Sequence, residues 1–216
     1  MEKNIFVFGA STTHGYWDIE GGWVARLRKA VDQKVLATNF EFYCSVYELG
    51  VSGDDSGDIL ARFEFEATKR MWPGDEVIFI FSAAINDAIV NIDDGSLKCP
   101  PEKYKENVKE LIKLAKKYSQ KIIFVGTLPV DEEKVDPIPW LEGHAYRNQL
   151  IGEYNKTTED ICKENDIPFI KVFEDFIHGD YKKILEDGVH PNTEGHKIVF
   201  EKVRDYLIEH QIIDLT

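Results

Sequence analysis

The chain lacks the features that would take it into a membrane or onto nucleic acid. Its longest apolar runs, such as Val77-Ile78-Phe79-Ile80-Phe81, fall far short of the roughly 20 residues that a spanning helix needs. Met1-Glu2-Lys3 passes straight into the first apolar run, without a basic region and cleavable apolar segment, so a cytoplasmic location is expected. Basic charge is scarce: 26 Lys and Arg stand against 39 Asp and Glu, a net charge of -13. Binding to nucleic-acid phosphates relies on clustered cations, so no nucleic-acid partner is expected. Polyanionic substrates are disfavoured by the same field, whereas uncharged or cationic ones are not. Cysteine is rare as well. Cys44, Cys99 and Cys162 are odd in number and far apart, which excludes a disulfide framework and a CxxC metal site. Cys44, in an apolar stretch, reads as a small core residue.

No repeat, low-complexity tract or composition break marks a second domain, so residues 1–216 are expected to form one. With 43% hydrophobic and 30% charged residues, the composition is that of an ordinary globular chain with material for a buried core. Apolar runs alternate with helical patterns throughout. Strands are expected at Asn4–Gly9, Phe40–Leu49, Glu76–Ser82, Lys121–Gly126 and Pro168–Val172. Between them, helical spacing marks Trp23–Val31, Gly57–Lys69, the stretch opened by Pro100-Pro101, His144–Asn165 and Thr193–His210. Thr127–Gly143 reads as a long acidic loop. That alternation predicts an α/β protein with one parallel sheet between helical layers.

Chemistry concentrates beyond the carboxyl ends of the predicted strands, where open α/β sheets place their ligands. Ile5-Phe6-Val7-Phe8-Gly9 runs into Ala10-Ser11-Thr12-Thr13, which leaves Ser11 as a nucleophile, a phosphate ligand or a helix cap. A serine hydroxyl attacks only when a base takes its proton and a carboxylate orients that base. Asp187 and His190 lie three apart in a loop containing Gly188 and Pro191, a spacing at which a turn can bring carboxylate to imidazole. Ser, Asp, His is also a known chain order for such triads. The plainer reading has His190 packing against the last helix. An acyl transfer also needs donors for an oxyanion, for which the Ser11 amide, Gly53 and Asn86 are candidates. Gly53 as a turn former and Asn86 as a helix cap are the plainer alternatives.

Four blocks, Phe8-Gly9-Ala10-Ser11, Val51-Ser52-Gly53-Asp54, Ala84-Ile85-Asn86-Asp87 and Asp187-Gly188-Val189-His190-Pro191-Asn192, together resemble the SGNH hydrolase (GDSL-type esterase and lipase) family. They stand in the family's order and span nearly the whole chain, the last block being the most specific. The resemblance implies a flavodoxin-like three-layer α/β/α sandwich on a five-stranded parallel sheet. It makes Ser11 the nucleophile, His190 the base and Asp187 its partner, with the Ser11 amide, Gly53 and Asn86 forming the oxyanion hole. The implied activity is hydrolysis of carboxylic esters, either small acyl esters or O-acetyl groups, with no cofactor and no metal. Two positions depart from the pattern. Ala10 replaces the Asp that usually precedes the nucleophile, and Ala84 replaces a Gly two residues before Asn86; neither change removes a proton-transfer or oxyanion group.

A second class of reading is a flavodoxin-like module whose Ser11–Thr13 loop cradles the phosphate of FMN or a nucleotide. Against it, the chain has no GxGxxG, and Gly9–Gly15 lacks the lysine of a P-loop. It also leaves Asp187 and His190 without a task. A third is an inactive scaffold. His14 competes as a base, His196 reads as structural, and Asp54, Asp55, Asp58, Asp87, Asp93 and Asp94 show no metal-ligand spacing. Trp17, Trp23 and Trp140 read as core or rim aromatics, with Trp140 in the long loop a candidate substrate contact.

Overall fold

The computed structural model describes residues 2–215. In chain order it runs β1 (Lys3–Gly9), α1 (Ser11–His14), α2 (Gly22–Ala37), β2 (Cys44–Gly50), α3 (Ser56–Thr68), β3 (Glu76–Phe81), β4 (Val90–Asn91) and α4 (Pro101–Ala115). Then follow β5 (Lys121–Val125), α5 (Glu132–Val135), β6 (His144–Ala145), α6 (Asn148–Glu164), β7 (Phe169–Ile170), α7 (Phe173–Phe176), a 3-10 turn at Tyr181–Ile184 and α8 (Thr193–Glu209). Five parallel strands form the main sheet in the order β2-β1-β3-β5-β7, as the sequence predicts. A small antiparallel pair, β4 with β6, stands apart from it.

The two faces of the sheet carry different side chains. Strand alternation sends Phe6, Phe8, Phe79, Phe81 and Phe124 to one face, under Ile59 and Phe63 of α3, Tyr104 and Val108 of α4, and Ile151 of α6. Ile5, Val7, Ile78, Ile80, Ile123 and Val125 face the other way, against Trp23, Leu27 and Val31 of α2 and Val199, Val203 and Leu207 of α8. Register places Phe6 opposite Phe79, and Phe81 opposite both Phe8 and Phe124, so the aromatic rows pack ring against ring across strands. Cross-strand aromatic pairs of this kind add about 0.5–1.5 kcal/mol each beyond area burial.

Parallel strands put all their carboxyl ends on one edge. The chain moves outward from β1 to β2, then returns past β1 to β3, so the topological switch point lies between β1 and β3. The loops there are anchored by helix caps. Asp55 accepts from the amides of Gly57 and Asp58 while the Asp58 side chain accepts from Asp55, a reciprocal capping box opening α3. The Asn192 side chain accepts from Glu194 and Gly195 and starts α8. Each cap is worth about 1 kcal/mol and also fixes where the preceding loop ends.

Several boundaries differ from the sequence-based expectation. β2 begins at Cys44, not Phe40, because α2 continues to Ala37 and the Phe40 amide donates to Val35 O from a left-handed conformation (φ 66°). α6 starts at Asn148, because His144–Ala145 pair with Val90–Asn91 and Arg147 stays extended. The long 127–143 loop contains the single turn α5, and Ser11–His14 form a helical turn of their own.

Candidate active site

Ser11 opens α1 immediately beyond β1, and its hydroxyl lies 2.8 Å from His190 Nε2. His190 Nδ1 is 2.7 Å from Asp187 Oδ2. An ionised carboxylate can only accept, so Nδ1 carries the proton and Nε2 is left to accept from the Ser11 hydroxyl. The partners in that last contact are 179 residues apart in the chain. Asp187 and His190 are joined by local geometry instead. Asp187 Oδ1 accepts from the amides of Val189 and His190 at 3.0 and 2.9 Å, a turn closed through Gly188 at φ 100°. A Cβ at Gly188 would also meet Lys134 Cβ of α5 at 2.8 Å, so only glycine fits there. Burial alone would raise the Asp187 pKa. The donors from the His190 ring and the two amides outweigh it and hold the carboxyl well below the usual carboxylate range.

The loops after β2 and β3 meet. Asn86 Nδ2 donates to Asp54 O at 2.8 Å, tying the third block to the second. Arg62 ion-pairs with Asp54 at 2.7 Å and donates to the carbonyls of Gly9 and Leu49, which fastens both to the end of β1. Gly53 lies on the exposed part of this loop, where its carbonyl accepts from Lys98 Nζ at 2.9 Å. One hydrogen of the Asn86 amide is committed to Asp54; the other remains available. Sequence reasoning gave no role to Tyr146, whose hydroxyl donates to Asn86 Oδ1 at 2.8 Å. The Asp54 carbonyl, which can only accept, settles which end of the Asn86 amide is the donor and leaves Oδ1 to accept from Tyr146, a contact that no sequence signal across 60 residues announces.

Aromatic rings surround His190. Tyr16, Trp17 and Trp140 have ring centroids 5.8, 6.2 and 6.3 Å from the imidazole. Trp17 and Trp140 remain 56% and 53% exposed, so they form a rim and not a core. Trp17 also donates its indole N–H to Asp187 Oδ2 at 2.6 Å, a contact the sequence does not reveal. Trp23, by contrast, is buried in the helical layer. His14 pairs with a different group: its Nδ1 lies 3.4 Å from the Glu48 carboxylate. His196 is fully buried, accepting from the Trp23 amide and donating to the Tyr16 carbonyl. Burial pushes its pKa down, so the neutral form is favoured.

Four of the scattered acids are individually engaged. Asp54 pairs with Arg62, Asp55 and Asp58 cap α3, and Asp87 accepts from the Ser56 amide and hydroxyl. Among the described residues no group of three His, Cys, Asp or Glu is placed to hold a metal ion. No described helix is long and apolar enough to cross a membrane. Ala84, where the family pattern has glycine, is buried at φ 116°. An alanine thus occupies a conformation that suits glycine. Ala10 precedes α1 with no side-chain cap.

The model of the GDSL-like lipase/acylhydrolase family matches residues 7–198. A GDSL esterase/lipase of Arabidopsis thaliana is 25% identical over 228 aligned residues, covering 98% of this chain and 88% of the relative. A lipase/acylhydrolase from Enterococcus faecalis superposes with a TM-score of 0.71 at 23% identity, covering 97% of both chains. An acetyl xylan esterase from Geobacillus stearothermophilus does so with a TM-score of 0.68 at 21% identity, covering 96% of this chain and 94% of the other.

Proposed function

Because the chain belongs to the GDSL-like lipase/acylhydrolase family, we propose that it is a serine esterase, one catalytic domain that cleaves small acyl esters or O-acetyl groups through an acyl-enzyme on Ser11. The observation that carries this reading is the relay of Ser11 Oγ, His190 and Asp187, joined at 2.8 and 2.7 Å. His190 Nε2 takes the Ser11 proton as Oγ attacks the ester carbonyl carbon. Asp187 holds the imidazole tautomer and stabilises the imidazolium that forms. The oxyanion of the tetrahedral intermediate is met by the Ser11 amide, the Gly53 amide and Asn86 Nδ2. Collapse breaks the bond to the alcohol oxygen, which receives the proton from His190 Nε2. A water then attacks the acyl-enzyme, giving its proton to His190, and the acid leaves as Ser11 is restored. Every proton in this sequence moves through His190, so the mechanism calls for no metal and no cofactor.

Since His190 protonates the departing alcohol, the alcohol half of the substrate sits on the side walled by Trp17 and Trp140. A net charge of -13 favours an uncharged ester there. The Geobacillus neighbour's description as an acetyl xylan esterase supports including O-acetyl sugars in the substrate class. The phosphate-cradle reading has less support: α1 is a single turn, and the Ser11 hydroxyl is already engaged by His190.

The test is hydrolysis of 4-nitrophenyl acetate and a panel of acyl and acetyl-sugar esters by wild type and Ser11→Ala. The variant is expected to lose about 10⁴-fold or more in kcat. Wild-type turnover in Ser11→Ala overturns the proposal, and a flavin absorbance spectrum in the purified protein favours the phosphate module instead.

A further inference from the structure

Trp17 is bound in a way that hydrophobic packing does not explain. It sits at φ 67°, a left-handed conformation that bulky residues avoid, while more than half of its surface stays in water. The segment around it is held from both sides. The buried His196 Nε2–H donates to the Tyr16 carbonyl at 3.0 Å, and the Asp18 carboxylate is clamped by Arg26 Nε and Nη2 at 3.0 and 3.1 Å. Asp18 also caps the start of α2 through the Gly22 amide. Gly15 and Gly22 close the loop backbone against backbone: a Cβ on Gly22 would fall 2.2 Å from Gly15 Cα. A strained conformation persists only where its surroundings over-determine it, and such strain concentrates at functional sites. What this scaffold achieves is to aim the indole N–H at Asp187 Oδ2 from 2.6 Å.

On the serine-esterase reading above, we propose that Trp17 is a positioning residue of the site, its indole N–H sharing Asp187 Oδ2 with His190 Nδ1 and so setting both the tilt and the basicity of the carboxylate that orients the base. With Trp17 in place Asp187 accepts four donors, two on each oxygen: Val189 N and His190 N on Oδ1, His190 Nδ1 and Trp17 Nε1 on Oδ2. The two backbone donors come from the Asp187–His190 turn itself and move with it. The indole is anchored in the separate 15–22 loop, so it pins the carboxylate to the α1 side of the cleft, where Ser11 lies. A neutral donor also draws charge from the carboxylate without adding a cation. Removing it leaves Asp187 more basic and its hold on a protonated His190 stronger. Other ionisable groups around the pair are Tyr16 in the turn after α1, Tyr146 between β6 and α6, Lys134 of α5 and His196 of α8. Replacing the indole by phenyl changes the charge of none of them.

Trp17→Phe keeps a smaller aromatic wall and deletes the N–H. With 4-nitrophenyl acetate, kcat is expected to fall about tenfold while KM stays within about twofold, a loss in the range of one hydrogen bond to a charged group. The acid limb of the kcat/KM profile is expected to move to higher pH by about half a unit or more. A wall or folding role alone would lower activity without moving that limb, and an unmoved limb overturns the proposal. An independent readout uses the wild-type protein. The assigned Trp17 indole Nε1–H resonance is expected to shift with pH at the same midpoint as the His190 ring signals. An indole signal that ignores the His190 titration overturns the proposal even if Trp17→Phe does not fold. If the indole follows His190 but Ser11→Ala retains full turnover, the esterase reading falls and the Trp17–Asp187 coupling stands.

Discussion

Asp87, beside Asn86, and Asp187, on the His190 turn, are two carboxylates whose ionisation the fold drives in opposite directions. Asp87 is fully buried; its carboxylate accepts from the Ser56 amide at 3.0 Å and the Ser56 hydroxyl at 2.5 Å, while Asn107 Nδ2 donates to the same hydroxyl. Burial dominates, and its pKa is pushed up despite the Ser56 donors. Asp187 keeps 25% of its side chain in water and faces four donors, one of them the imidazole of His190. Its pKa is driven down. The balance between depth of burial and the number and charge of the donors decides which carboxylate stays ionised: burial wins at Asp87, and the donors win at the less deeply buried Asp187. Asp87 therefore suits an anchor: it fixes the N-terminus of α3, and with it the Gly53 loop, relative to Asn86. Asp187 suits the work of orienting a base.

The largest expected contrast is in turnover. Asp187→Asn removes the acceptor that fixes the His190 tautomer, and kcat for 4-nitrophenyl acetate should fall by about 10⁴-fold. Asp87→Asn should stay within about tenfold of wild type, because the amide still accepts from Ser56. Equal losses in the two variants would abolish the distinction between orienting group and anchor.

The second contrast is in stability against pH, followed by chemical denaturation. Asp187 has a depressed folded pKa, so its contribution is present above the unfolded value near 3.9 and is lost as pH falls through the folded one. Asp87 has a raised folded pKa. The folded state then holds the extra proton, and stability declines as pH rises from the unfolded value through the folded one. Replacing Asp87 with Asn should remove that decline, so the variant gains on wild type as pH rises; a pH-independent difference would show that Asp87 titrates normally.

The smallest effect concerns Ala84, three residues before Asp87. At φ 116° its Cβ is strained, and Ala84→Gly should relieve about 1 kcal/mol net, after the added freedom of glycine in the unfolded chain is subtracted. A rise of a few degrees in Tm with unchanged turnover is the expected result. A drop in Tm would mean that packing of the buried methyl outweighs the strain.

Much of this architecture was legible before the structure. Apolar runs such as Ile5–Phe8 and Val77–Phe81 read as central strands because parallel strands are buried on both faces. Element ends were less legible. Phe40 to Tyr43 carry strand-like residues, yet the extension of α2 to Ala37 and the left-handed turn after it delay β2 to Cys44. His144 and Ala145 read as the start of a helix in the sequence, because the two-residue partner Val90–Asn91 is too short to register as a pattern.

Local chemistry was within reach of the sequence alone. Strand alternation and the Asp187–His190 turn follow from neighbours a few residues apart, because backbone periodicity and turn geometry act over that range, while the four blocks were legible through their resemblance to a family. Tertiary structure alone decided the pairs that distinguish the site: Trp17 with Asp187, Tyr146 with Asn86, and Ser56 with Asp87, separated by 170, 60 and 31 residues. No spacing rule links residues that meet only when separate strand-end loops converge. For Tyr146–Asn86 and Ser56–Asp87 burial excludes the water that would otherwise satisfy donor and acceptor, whereas Trp17 reaches Asp187 while half exposed, held there by the 15–22 loop.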